Sequence, residues 1–256
     1  MNPKEFRSLV AKGDFSKPTA GYCNNFVQTN MVVLPKEYAN SFEEFAKQNA
    51  KAIPILEIIK DSHHSKKLAK GANLLNELPS YNIFEYGKLV KTVTNIEDYY
   101  NEDLVFFLIG CSFTFEAALI SNDIPLRHVD LKTNVSMYNT NIELNPVDSF
   151  CGKMVVSMRP IKKDKVVDSC IITNHYPKVH GSPIHIGYPE MIGIDNIFHP
   201  DYGTFIDIKE DEIPVFWPCG VTPENVIKNI KLPFAITHTP GHMFVTDKKD
   251  SDYYEN

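Results

Sequence analysis

Four of the nine histidines fall in two glycine- and proline-bearing turns, His180-Gly-Ser-Pro-Ile-His185 and His238-Thr-Pro-Gly-His242. Side chains are seldom needed for packing in such turns, and imidazole titrates nearest neutrality, so all four are candidates for proton transfer. Metal ligation is left open, although neither spacing is the i, i+4 pair of a helix-borne zinc site and no CxxC accompanies them. His63-His64 stands beside Lys66-Lys67 and reads as solvated surface, while His175 and His199 lie just before prolines and read as turn residues.

A second group surrounds the run LVFFLIGCSFTFEAALI at 104–120. It reads as a buried strand that turns through Gly110-Cys111-Ser112 into a helix capped by Ser112. Backbone N–H groups at such a turn favour a carboxylate or a developing oxyanion; the alternative is a tight turn that is scaffolding only. Cys111 is either an activated thiolate there or an inert buried side chain. Glu116 follows one helical turn later and either faces the same mouth as a general base or lies on the solvent side. Arg127 and Arg159, two of three arginines, follow strand-like runs and suit bidentate carboxylate recognition, or else form structural ion pairs.

The elements that must position these groups can be traced along the chain. Asn2-Pro3 opens a helix that Gly13 stops, and Ser41-Phe42-Glu43-Glu44 reads as a capping box opening a second helix to Asn49. FVQTNMVVLP, IPILEII and the 81–93 segment, with a hairpin turn at Tyr86-Gly87, read as strands. From 126 to 160 the runs LRHVD, MYNTNIEL and KMVVSMRPI suggest short strands, followed by a helix from Val166 to Asn174. Residues 176–203 form a long loop of the kind that carries function. IPVFW is a strand, Thr222-Pro223 starts a helix to Ile230, FAITH and HMFVTD are strands, and the tail KKDSDYYEN is expected to fray. A shift of 108 places Cys111, Thr114, Glu116 and Pro125 over Cys219, Thr222, Glu224 and Pro233, hinting at two related strand–turn–helix units. The expected fold is α/β: a mixed-sheet, three-layer core from about 1–125 plus 200–256, with a smaller inserted α+β subdomain at about 126–199, all one unit over 1–256.

Composition limits the function. At 256 residues, 43% hydrophobic and 23% charged, the chain is an ordinary globular protein. A net charge of −6 with scattered lysines argues against nucleic acid or an anionic membrane as partner and for a small molecule. No apolar run is long enough to span a bilayer and the N-terminus lacks a signal-peptide core, so a cytoplasmic location is expected. Five cysteines without paired spacing suggest neither a disulfide framework nor a Cys-only zinc site.

The blocks GYCNNFVQTNMVVLP (21–35), LIGCSFTFE (108–116), MYNTNIEL (137–144), VVSMRPI (155–161), VHGSPIHIG (179–187), PVFWPCGVTP (214–223) and ITHTPGHMFVTD (236–247) closely resemble, in order and over nearly the whole chain, those of the hydro-lyase family that includes D-glutamate cyclase. Three departures stand out: Tyr188 where the His-Gly block continues with Asp, Pro218 in place of a small residue before Cys219, and no proline-cysteine in NAKAIPILEI. The first removes an acid that metal or amine binding at that turn would use.

The resemblance implies an α/β fold and, as activity, conversion of D-glutamate to 5-oxo-D-proline with loss of water. Under that reading the Gly110-Cys111-Ser112 turn holds the reacting carboxyl and Arg127 or Arg159 the α-carboxylate. Glu116 or one of His180, His185, His238 and His242 shuttles protons, and Asn24, Asn25 and Gln28 orient the substrate. No cofactor is required by the sequence; a divalent metal and a homo-oligomeric state are left open, and the partner is a small-molecule carboxylate. The competing expectations are another small-acid dehydratase or amidohydrolase, and a non-catalytic carboxylate-binding protein.

Overall fold

The computed structural model describes residues 1–256. Helix α1 (Pro3–Ala11) is capped by Asn2, whose side chain accepts from Glu5 N–H while Glu5 reciprocates. The apolar run β1 (Phe26–Pro35) follows, then α2 (Lys36–Gln48), β2 (Ile55–Ile59) and the hairpin β3 (Tyr81–Glu85) and β4 (Lys88–Val93). Tyr86 and Gly87 join that hairpin with φ of 51° and 76°, the left-handed pair a two-residue turn demands. Strand β5 (Leu104–Ile109) leads into α3 (Glu116–Ser121) and α4 (Arg127–Asp130). Beyond these come β6 (Ser136–Glu143), β7 (Lys153–Lys162), α5 (Val166–Asn174), β8 (His185–Ile186), β9 (Glu212–Pro218), α6 (Thr222–Ile230), β10 (Ala235–His238) and β11 (Phe244–Lys249). No helix is long and apolar enough to cross a membrane.

The larger sheet has seven strands in the order β2-β5-β1-β10-β3-β4, with β11 also paired to β1. β1 pairs with β5 from Asn30–Ile109 to Pro35–Leu104 along one edge, and shares its other edge between β11 and β10. Every residue of LVFFLI is buried because both faces of β5 are covered. On one face Phe42 and Phe45 of α2 and Val226 and Ile227 of α6 pack against Val105 and Phe107. On the other, Leu74, Leu78, Phe115, Leu119 and Trp217 pack against Phe106 and Leu108. The second sheet, β6-β7-β9-β8, presses Trp217 into that second face.

The α/β expectation holds, but the expected mixed sheet does not: pairing is antiparallel throughout both sheets. Five details depart from the sequence reading. Strand 212–218, expected in the core, pairs with β7 over seven positions and belongs to the smaller sheet. α2 begins at Lys36, directly after Pro35 ends β1, so Ser41 is inside the helix and its hydroxyl donates to Asp148 instead of capping. Arg127–Asp130 is a helical turn, not a strand. Ser112 caps nothing, because a 3-10 turn over Ser112–Phe115 precedes α3. The tail does not fray: Asp250–Tyr253 coils back, with Asp250 and Tyr253 buried.

Candidate active site

β5 ends against a neighbouring chain segment. A Cβ at Gly110 would come within 2.7 Å of the Lys178 carbonyl, so only glycine fits. Asn30 Nδ2 donates to the Gly110 carbonyl at 2.8 Å, and on its other side a Cβ at Gly220 would lie 1.8 Å from that same nitrogen. The ends of β5 and β9, each followed by a buried cysteine, therefore close on one asparagine. Cys219 lies near enough to Cys111 to add to the rise of its thiol. Burial pushes the Cys111 thiol far up and the Cys219 thiol up to about 11, so neither is a thiolate nucleophile. The 108-residue offset also pairs Glu116 with Glu224, and both are buried carboxylates near the start of a helix.

The chain then reaches Ser112, whose Oγ accepts from Arg159 Nη2 at 3.0 Å. Arg159 comes from β7, is fully buried between the rings of Phe115 and Trp217, and has four of its five N–H donors bonded to neighbouring side chains. Its Nη1 donates to Ser157 Oγ, and its Nε and Nη2 both donate to Glu116 Oε1. His128 Nε2 donates to the same oxygen at 3.0 Å. Burial by itself would push Glu116 up; the imidazole, the guanidinium and their hydrogen bonds outweigh it and hold the carboxylate below its usual range. All three bonds fall on Oε1, and Oε2 makes none.

Glu116 forms part of the wall of a 310 Å³ pocket shared with Tyr22, Asn24, Asn25, Gln28, Phe113 and Asp250. The loop before β1, the first residues of β1 and the start of α3 thus bring Asn24, Asn25, Gln28 and Glu116 together. Gln28 Nε2 is fixed by the carbonyls of Thr19 and Tyr22 at 3.2 and 3.0 Å, and its Oε1 is buried without a partner. Asp250 is held by its backbone, N–H to the Asn25 carbonyl at 3.0 Å, and its Oδ1 is likewise buried and unpartnered. Burial first, and the Glu116 charge second, push the Asp250 carboxyl up to about 7. A larger cavity of 950 Å³ runs along the edge strand β2, but none of its lining residues carries a buried unpartnered polar atom.

Other expected site residues lie elsewhere. The Gly110-Cys111-Ser112 turn is buried and does not line the pocket, which begins at Phe113. It is no open carboxylate cradle, because it is sealed from the pocket and the Gly110 N–H already donates to the Pro54 carbonyl at 2.8 Å. Arg127 is partly buried and away from the pocket, paired with Glu212 and the Asp207 carbonyl. The four turn histidines each bond a different backbone group, and none lines the pocket. His180 Nδ1 donates to the Lys51 carbonyl at 3.0 Å and His238 Nδ1 accepts from Met31 N–H at 3.3 Å, both rings fully buried and pushed down to about 4 by burial. His242 Nδ1 donates to the Pro240 carbonyl, and His185 Nε2 donates to the Tyr188 carbonyl on the smaller sheet. No group of three or more His, Cys, Asp or Glu side chains is placed to hold a metal ion.

Sequence reasoning missed His128 and Asp250. Neither carries a local signal: His128 lies in a separate helical turn from Glu116, and Asp250 reaches the Asn25 loop only through the pairing of β11 with β1.

A family model described as D-glutamate cyclase matches residues 105–247. A protein named "Putative hydro-lyase" from Clostridium beijerinckii is 48% identical over 98% of this chain and 97% of its own length. One of the same name from Psychrobacter arcticus is 48% identical over 98% of this chain and 96% of its own. "Putative hydro-lyase YcsI" from Bacillus subtilis is 45% identical over 98% of each chain.

Proposed function

The chain belongs to the D-glutamate cyclase family, and from that premise we propose that its 310 Å³ pocket converts D-glutamate to 5-oxo-D-proline and water. The observation that supports this most is a pair of carboxylates in one pocket with opposite environments. Glu116 is locked as an anion by Arg159 and His128, whereas Asp250 is buried with no cation and a free oxygen. Carboxylates driven apart in this way serve as a fixed charge and a proton carrier.

Ring closure moves two protons. Glutamate starts with three on nitrogen; the lactam keeps one, and two leave with the γ-carboxyl oxygen as water. Asp250 as carboxylate takes the first proton from the ammonium, which frees the nitrogen lone pair to attack the γ-carbon. It returns that proton to a γ-oxygen, takes the second from the new C–N nitrogen, and delivers it to the departing oxygen as the C–O bond breaks. A carboxyl near pH 7 is both base and acid in the same turnover. Glu116 stays ionised throughout and holds the positive nitrogen, while the carboxamides of Asn24 and Asn25 offer donors to the substrate's carboxylates. Incubation with D-glutamate and, separately, 5-oxo-D-proline, read by chiral separation, tests the assignment. Conversion in neither direction rejects it.

A further inference from the structure

We propose that Gln28 Oε1, Asp250 Oδ1 and Glu116 Oε2 form an oxygen cradle for a primary ammonium group, and that this cradle sets the substrate class as amino acids rather than hydroxy acids. Gln28, Glu116 and Asp250 are 5%, 7% and 8% exposed and line one pocket. The first two of the three named oxygens are buried without a partner, and the third takes none of the bonds that fix its carboxylate. The donor end of Gln28 is tied to Thr19 and Tyr22, which fixes the amide orientation and leaves the oxygen without a partner.

Two buried, unpartnered acceptors and a third carboxylate oxygen with no bond are costly in one pocket unless a ligand supplies N–H groups to them. A primary ammonium has three, in a tripod, and its positive charge answers the uncompensated carboxylate of Asp250. A hydroxyl offers one donor and would leave two acceptors unsatisfied; a tertiary amine offers at most one. Buried polar groups left unpaired are the strongest source of discrimination a site of this size has. Gln28 is then a specificity-determining residue, and the carbonyl contacts of its own amide group keep it in place.

This inference rests on reading the pocket as the substrate site, and the test separates the two. Binding of D-glutamate, D-2-hydroxyglutarate and N,N-dimethyl-D-glutamate to the wild-type protein is measured by calorimetry, alongside turnover of D-glutamate and titration with Mg²⁺ and Mn²⁺. The cradle predicts at least about a hundredfold weaker binding of the hydroxy and dimethyl compounds. It also predicts that Gln28→Leu shrinks that ratio, mainly by weakening the amine. Preference for the amine without turnover keeps the cradle and rejects the cyclase reading. Turnover with equal binding of amine and hydroxy acid rejects the cradle alone. Saturable binding of Mg²⁺ or Mn²⁺ that competes with D-glutamate also overturns it, because the three oxygens would then be metal ligands.

Discussion

His128 Nε2 lies 3.0 Å from Glu116 Oε1, the same oxygen that receives Nε and Nη2 of Arg159, so one carboxylate oxygen anchors a helical turn, a β-strand and the start of α3. The other oxygen is left for the pocket. The bonds gathered on Oε1 make Glu116 and Arg159 a coupled buried pair.

Glu116→Gln leaves the Arg159 guanidinium buried without its counter-charge, and should cost about 3–5 kcal/mol in urea unfolding. Arg159→Met should cost a comparable amount. The double variant should cost clearly less than the sum, because the orphaned charge is gone. Additive costs would mean the pair is not the coupled unit the geometry describes.

Gly220→Ala places a methyl against Asn30, and should cost roughly 1–3 kcal/mol through overpacking. Adding Asn30→Ala removes the obstruction, so the second substitution should cost little on that background although it costs about 1 kcal/mol alone through loss of the bond to Gly110. Chemical denaturation of the four proteins reads the coupling directly.

Thiol reactivity should follow burial. Cys151 is the exposed cysteine, while Cys111 and Cys219 are buried with raised thiols. Brief iodoacetamide treatment of the native protein, followed by mass spectrometry, should label Cys151 first and leave Cys111 and Cys219 unmodified. Cys111→Ser should retain substantial turnover; loss of all activity with the fold intact would return the thiol to the mechanism.

The pH dependence of stability has opposing parts. Asp250 is pushed up to about 7 from an ordinary 3.8, so its contribution is whole below about pH 4 and is lost as pH rises through 7. His180 and His238 are pushed down to about 4 from 6.5, so theirs is present above pH 6.5 and is lost as pH falls through 4. Asp250→Asn removes only the first. Its stability should therefore climb more steeply than wild type between pH 4 and 7, with the two curves diverging by on the order of 4 kcal/mol. Parallel curves would show that Asp250 titrates as an ordinary surface acid.

Much of the scaffold could be read from local patterns. The Asn2 cap, the Tyr86-Gly87 hairpin and the boundaries of β1, α5 and α6 follow from side-chain spacing and turn chemistry, which are local properties. What could not be read depends on contacts distant in sequence. Ser112 has the right type for a cap, but Arg159, 47 residues away, claims its hydroxyl. Arg127 and Arg159 look alike in sequence, yet one meets Glu212 in a partly buried pair and the other is sealed between two aromatic rings. Asp250 sits in a segment of charged residues that reads as solvated, and only the pairing of β11 with β1 carries it into the pocket beside Asn25. The histidine turns stand out by composition, but their rings serve carbonyl and amide groups of the backbone.

The central claim is that Asp250 carries protons between the nitrogen and the departing oxygen, and turnover of D-glutamate by Asp250→Asn tests it most directly. The substitution keeps size and backbone contacts but cannot take up or release the proton. Formation of 5-oxo-D-proline should fall by at least about a thousandfold while D-glutamate still binds, within the range expected for loss of an acid–base group. Turnover equal to wild type, in a variant that folds and binds, would contradict the account.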